Sequence, residues 1–422
     1  MPSRDRSRAL VVVGAFAAAS CGSHNPSGFT ATPDAGPGGP DATFICGPDC
    51  DHDGYAVPAD CNDFDGTINP EAYDFIGDEA DNDCDGKVDD PVVTCETIPA
   101  SAPGTPSDFA RAGDLCAQNS KTSAGTVFDP LVRAAWGQVK GLGSGQTIFT
   151  SATKMNQVNI VSSFGKNAAR LGKTMLGLSN GPWGATDPRS SPALDPTGFH
   201  LNDACSDIPL TGLDCQALSD NAPGGGASVQ DWAELTLWVK VPSNANAMHF
   251  DFAFFSSEFN QWWSSAVNDA FFVLVSSKTY AGANVAKDGH GLAVTVNSGF
   301  FQLCPAYPGP AGLSQDKAAG LQQCVGMSGD ASQGVIGALA QTGYDGAAVG
   351  TDDTVLAVDG SKYVYGGGSG WLHASFDVTP SEELQMRIVV MDTFDGLKDS
   401  VVVVDGLGWD AQASSGVSRP PK

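Results

Sequence analysis

The chain has 422 residues, with 22 Lys and Arg against 48 Asp and Glu, and a formal charge of −26. So acidic a molecule repels a phosphate backbone, which excludes nucleic acid as a partner. Its length and 41% hydrophobic content suit a large buried core.

Taken in order, Arg4, Arg6 and Arg8 precede an apolar run from Ala9 to Ala19, then Ser20 and Cys21. This pattern is a secretory signal, and the run is too short to span a bilayer as a stable helix. Residues 1–20 are therefore expected to be a signal peptide. A Cys directly after the run resembles a bacterial lipobox, in which the thiol takes up lipid after cleavage, although Ala18 stands where Leu is usual. Cleavage by ordinary signal peptidase near Ala19 is the alternative. Residues 21–45, rich in Gly, Pro, Ser and Ala, form a flexible tether. The expectation is an exported lipoprotein at the outer membrane or cell surface, with the membrane as partner through the lipid on Cys21.

Residues 46–95 form an acidic module. From Asp49 to Asp90 fifteen Asp or Glu stand against one Lys, which is −14 of the total −26. Carboxylates at this density need full solvation or a bound cation. Asp49, Asp51, Asp53 and Gly54 take positions 1, 3, 5 and 6 of an EF-hand-like loop, Tyr55 offers a carbonyl at position 7, and Asp60 stands at position 12 in place of Glu. Asp81, Asp83, Asp85 and Gly86 repeat the order, with Asp89 at position 9. Val92 at position 12 leaves this second loop needing a ligand from elsewhere, such as Asp63 or Asp65. Oxygen ligands in this number lead to the expectation of calcium. The alternative is an acidic disordered linker, against which stand Cys61, Cys84, Tyr55, Phe64, Tyr73 and Phe75.

The order D-x-D-G-Y, D-C-N-D-x-D, I-N-P-E-A and D-N-D-C-D-G over residues 49–90 resembles the metal-binding motif of MopE-type surface proteins. The D-x-D-x-D-G order also resembles thrombospondin type 3 repeats. The resemblance implies a small module of little regular structure, stapled by calcium and disulfides. One member type of the MopE family binds copper, and His52 keeps copper as the alternative metal.

Removing Cys21 from eleven cysteines leaves ten: Cys46, Cys50, Cys61, Cys84, Cys95, Cys116, Cys205, Cys215, Cys304 and Cys324. An even number in an exported chain reads as disulfides, with Cys205–Cys215 and Cys304–Cys324 plausible by proximity. No C-x-x-C pair occurs, which argues against a thiol-redox enzyme or a zinc ribbon.

Residues 96–413 shift to Gly, Ser, Thr, Val and aromatics and read as one β domain. A helix is expected around Pro130 to Lys140 on Leu131, Ala134, Ala135 and Val139. Residues 234–241 alternate as a half-buried strand does. Residues 249–255 and 270–275 read as buried strands, followed by 291–296, 372–378, 384–391 and 400–405. Several short strands between Gly- and Asn-bearing turns predict a mainly β protein, a jelly-roll-like β-sandwich. Residues 414–422 are expected to be a disordered tail.

The segments F-D-F-A-F-F-S-S-E-F-N at 250–260, N-D-A-F-F-V-L-V at 268–275 and V-V-M-D-T-F-D-G-L-K-D-S-V-V-V-V-D at 389–405 resemble the choice-of-anchor L domain. Leu176 to Gly181 is similar to a segment that precedes those motifs. The resemblance, over about 125–410, implies an exported, anchored, β-rich body and names no ligand.

Glu258, Asp269, Asp392, Asp395 and Asp399 sit at ends or turns of these strands. They either surround a second cation or cap turns facing water. Glu258 and Asp269 are also the carboxylate pair for a glycoside hydrolase, the alternative function. The nucleophile elbow and the zinc-protease helix are absent, and the six His show no metal-ligand spacing. Trp262 and Trp263, with Trp371 and Trp409, offer flat faces to a glycan, although aromatics in β proteins are more often core. The reading is a surface-anchored calcium-binding lipoprotein, non-catalytic, with a structural, adhesive or binding role toward an extracellular glycan or protein.

Overall fold

The computed structural model describes residues 47–92, 94–95, 104–116, 128–137, 157–181, 183, 229–258, 269–287, 291, 293–296, 300, 338–339, 341–344, 366–393 and 399–419. Residues 47–419 of this set belong to one compact unit, Gly47–Lys422.

The described helix, α1 (Pro106–Ala112), is delimited by its own residues. Thr105 accepts the Asp108 amide and the Asp108 carboxylate accepts the Thr105 amide at 2.7 Å, Pro106 opens the first turn, and Gly113 ends it. Its buried Phe109 meets Trp136 edge-on at 5.1 Å between ring centroids.

The strands in order are β1 (Leu131–Trp136), β2 (Val158–Val161), β3 (Ser163–Phe164), β4 (Asn167–Ala168), β5 (Met175–Ser179), β6 (Val229–Lys240) and β7 (Ala247–Ser256). There follow β8 (Ala270–Ser276), β9 (Ala281–Asn284), β10 (Val294–Thr295), β11 (Gly367–Asp377), β12 (Glu383–Thr393), β13 (Ser400–Asp410) and β14 (Gly416–Ser418). One six-stranded sheet runs β1-β6-β12-β8-β10, with β9 on β8; another runs β14-β11-β7-β13-β5-β2. The two-residue strands β3 and β4 pair separately. Neither large sheet closes on itself.

The expected helix at 130–140 is corrected: Leu131–Trp136 is an edge strand paired with β6. Its apolar spacing is too short to separate helix from strand. The free edge of β6 supplies backbone partners, and Trp136 reaches Phe109 only from there. The tail expected to be disordered is likewise corrected in part, because Gly416–Ser418 pairs with Ser375–His373 as β14.

One core cluster takes Leu235, Leu237 and Val239 from β6, Ile388 and Val390 from β12, and Phe250, Phe252 and Phe254 from β7, with Val402 and Val404 from β13. The two sheets thus bury their apolar faces together. The alternate residues Ala253, Phe255, Val401 and Val403 form a second cluster with Leu339 and Tyr344. β7 and β13 are therefore buried on both faces, which is why their sequences run apolar without alternation. Glu234 on β6 crosses to Arg387 on β12 as a bidentate pair at 2.7 and 2.8 Å.

Candidate metal centre

Among the described residues 47–95 neither helix nor strand occurs. Carboxylates fix the backbone instead. In the first loop Asp49 accepts the His52 amide at 2.7 Å and the Gly54 amide at 3.2 Å, Asp51 accepts Asp53 N at 3.2 Å, and Asp53 accepts Tyr55 N at 2.8 Å. In the second loop Asp81 accepts Asp85 N at 3.1 Å and Gly86 N at 3.0 Å, Asp83 accepts Asp85 N at 3.2 Å, and Asp85 accepts Lys87 N at 2.8 Å. The fourth and sixth positions are left-handed in both: His52 at φ 67° and Gly54 at 101°, Cys84 at 59° and Gly86 at 94°. The glycines meet this requirement without a Cβ penalty. Each loop thereby gathers three carboxylates with ligand atoms within 4.8 Å of one another: Asp49, Asp51, Asp53 and Asp81, Asp83, Asp85.

Asp60 is 2% exposed, and its ligand atom groups with the sulfurs of Cys61 and Cys84 rather than with the three carboxylates of the first loop. Its Oδ1 accepts the Asn62 amide at 2.8 Å, while Oδ2 is buried and accepts no hydrogen bond. Asp51 Oδ2 and Asp53 Oδ2 are likewise buried and accept no hydrogen bond. Burial, with the charges of Asp53 and Asp51 adding, pushes the Asp60 carboxyl up; burial and Asp51 do the same at Asp53. Buried carboxylate oxygens that accept no hydrogen bond fit a cation.

The remaining expected ligands separate. Asp63 accepts the Cys50 amide at 3.4 Å and Asp65 holds the Thr67 amide and hydroxyl at 3.1 and 2.7 Å, so these oxygens serve turns outside the second loop. Asp89 accepts Gly77 N at 2.6 Å and Glu79 N at 3.3 Å. Lys87 Nζ lies 2.6 Å from Asp85 and 3.4 Å from Asp90. Tyr55 has its phenol pushed up to about 12 by burial and by Glu71.

Cys61–Cys84 is a disulfide, tying the residue after Asp60 to the fourth position of the second loop. Both sulfurs are thus unavailable as thiolate ligands. Cys95–Cys116 is a second disulfide, and Cys50 is bonded too. The pairs expected at Cys205–Cys215 and Cys304–Cys324 lie outside the described residues.

Sequence reading missed the residues that seat the module. Tyr73 N donates to Asn244 Oδ1 and Asn244 Nδ2 donates to Tyr73 O, both at 2.8 Å. Ser243 Oγ donates to Asn69 Oδ1 at 2.8 Å. Buried Asp74 accepts Asp90 N at 2.6 Å and Asn82 N at 3.3 Å. The sequence signal for the docking was limited to the apolar Tyr73 and Phe75 within an acidic run.

In the β body, Glu258 and Asp269 are both 0% exposed and Asp399 4%. Glu258 Oε2 accepts Asp269 N at 2.8 Å; Asp269 Oδ2 accepts the Asn180 amide at 3.0 Å and the Ser400 hydroxyl. The Asp399 carbonyl accepts Ser257 N and Oγ. Three of the five expected carboxylates therefore gather around the ends of β7, β8 and β13. The side chains of Asp392 and Asp395, with Trp262, Trp263 and Cys21, lie outside the described residues. Two of the scattered histidines do meet: His249 and His373 have ring centroids 5.4 Å apart, with Nδ1 of each on Asp410 and Asp251 respectively. The Asp251 contact raises the His373 pKa.

What fold and site define is a mainly β protein carrying an acidic, disulfide-linked metal-binding segment. The chain is similar over residues 60–90 to the Cu-binding MopE family, described as a metal-binding motif. Comparison with curated proteins and with solved structures gives no match. The expectation of calcium is accordingly corrected to copper. The geometry gives a physical reason as well. Calcium takes six to eight oxygens with a bidentate arm, whereas Asp60 has one oxygen on Asn62 and Val92 offers none. Copper accepts fewer ligands and mixed oxygen and nitrogen donors.

Proposed function

We propose that the chain is an exported copper-binding lipoprotein in which the acidic module holds the metal and the β body plays a structural, adhesive or binding role at the cell surface. The observation that carries the metal assignment is the set of buried oxygens on Asp51 and Asp60 with no donor, next to a stretch similar to a copper-binding motif. Cys21, after its apolar run, would carry the lipid. The body is read as a jelly-roll-like sandwich of the choice-of-anchor L kind; its support is the core common to both sheets and the fall of β7, β8 and β13 on the motif segments. A non-catalytic body is supported by Glu258 and Asp269, which are buried and engaged with backbone and side-chain donors.

The test is metal analysis of the full protein purified from membranes, stripped with chelator and offered Cu2+ alone. Bound copper with increased protease resistance of residues 47–92 is the expected result. No bound copper would remove the metal reading.

A further inference from the structure

We infer that the seam between the acidic module and the β body is a binding site for a small neutral aromatic molecule of the phenol class, with His249 recognising its hydrogen-bond donor. The site is independent of the metal reading above and needs no ion.

A cavity of about 200 Å3 lies at this seam. Its wall takes Tyr73 and Phe75 from the module, Leu115 from the chain after α1, Leu171 from the turn between β4 and β5, and Leu407 and Trp409 from β13. The rings of Tyr73 and Phe75 stand 5.0 Å apart and tilted by 59°, so the module contributes aromatic faces here instead of carboxylates. Ile76 and Val92 also line the cavity and are 59% and 44% exposed, which gives it an apolar entrance at the surface. An apolar cavity of ~150 Å3 accepts benzene, so this one fits a single ring with a small substituent. Asp114 lines it and no Lys or Arg does, so an anionic ligand would meet no counter-charge.

His249, another lining residue, supplies the specific contact. It stands on β7 with its Nδ1 3.0 Å from Asp410 Oδ2. The carboxylate holds a proton on Nδ1, and the neutral ring then carries its lone pair on Nε2. Gly408, opposite His249 on β13, lines the cavity too. A Cβ there would come within 2.6 Å of Nε2 and 3.0 Å of Cε1, so the missing side chain is what leaves this edge of the imidazole uncovered. Nε2 accepts no hydrogen bond among the described residues. An acceptor on a largely apolar wall discriminates between ligands: a hydroxyl that reaches it gains a bond, and a ring without one leaves it unpaired. The size, flat face and single donor of a phenol answer the volume, the aromatic wall and the lone pair in turn.

The experiment is calorimetric titration of the full chain, stripped of metal, at pH 8 with phenol, toluene and benzoate as separate probes. The parent should bind one phenol per chain, about tenfold tighter than toluene, and should not bind benzoate. His249→Phe keeps a ring in place without the acceptor, and should bind phenol no better than toluene. Leu171→Trp should fill the cavity and remove both ligands, with unchanged circular dichroism showing that the fold is kept. Gly408→Ala displaces only the tip of the imidazole, so it should weaken phenol more than toluene, and it carries the test if Leu171→Trp misfolds. Absence of phenol binding in the parent, equal affinity for phenol and toluene, or tighter binding of benzoate would each overturn the inference. So would a preference for phenol that survives His249→Phe or Gly408→Ala, or phenol bound by a folded Leu171→Trp. None of these outcomes bears on copper binding by the module.

Discussion

Asp114 and Asp405 meet inside the protein, where Gly113 O accepts Leu407 N at 2.8 Å and draws the end of α1 onto β13. Asp114 accepts the Cys95 amide at 3.3 Å, and Asp405 accepts the amides of Leu171, at 3.1 Å, and of Arg170. Their other oxygens are buried and turned to one another. Burial, then the Asp405 charge, pushes Asp114 up to about 7, and burial raises Asp405 as well, so the pair shares a proton. In the unfolded chain Asp ionises near ~3.9. Between that value and about 7 the folded state holds a proton that the unfolded state has released. The stabilisation is full below the unfolded pKa and is lost as pH rises through the folded one. The unfolding free energy from denaturant titration should therefore fall from pH 5 to pH 8, by at most ~1.4 kcal/mol per pH unit for one proton. Asp405→Asn should flatten that decline. Parallel pH profiles for parent and variant would contradict the shared proton. Neither residue belonged to the expected sites, because a carboxyl pair 291 positions apart leaves no local pattern.

The turn between β6 and β7 is the element that couples body to module. Asn244, 6% exposed, exchanges two hydrogen bonds with the Tyr73 backbone, Ser243 N donates to Glu71 O at 3.0 Å, and Tyr73 and Phe75 pack on the main core. Asn244→Ala leaves the half-buried amide and carbonyl of Tyr73 without their partner. The cost should be about 1–3 kcal/mol, localised to the junction. Limited proteolysis should cut within residues 47–92 faster while the sheets keep their circular dichroism. Unchanged cleavage would show that the apolar contacts alone seat the module. The strands themselves were legible where polar and apolar residues alternate: β6 does so although Glu234 and Thr236 are buried, and its expected span of 234–241 overlaps the observed Val229–Lys240. β1 was misread because six residues of mixed Leu, Ala and Trp fit either period, and the choice fell to the open edge of β6.

For the molecule as a whole, −14 of the −26 formal charge sits between Asp49 and Asp90, so an ion bound there acts on the stability of the full compact unit. Ligand present at a hundredfold excess over its dissociation constant stabilises by ~2.7 kcal/mol when only the folded state binds. Cu2+ should therefore raise the melting temperature, chelator should return it to the parent value, and Asp60→Asn should abolish the increment. A melting temperature indifferent to copper at saturating binding would mean that the module and the sheets unfold separately.

By itself the sequence determined the acidic loops, their glycines, and seven of the fourteen described strands, β6 to β8 and β10 to β13. These are local properties: an Asx-type hydrogen bond spans two to five residues, and side-chain alternation repeats every two. Only the tertiary structure decided that β6 lies beside β12, that His249 meets His373, that Asp114 meets Asp405, and that Lys87 rather than Asp65 attends the second loop. Glu234 and Arg387 show the reason. Their bidentate pair joins positions 153 apart, and either residue read alone is an ordinary charge on an alternating strand. Its partner is chosen by which sheet edges and apolar faces are left to pair once the local elements have formed.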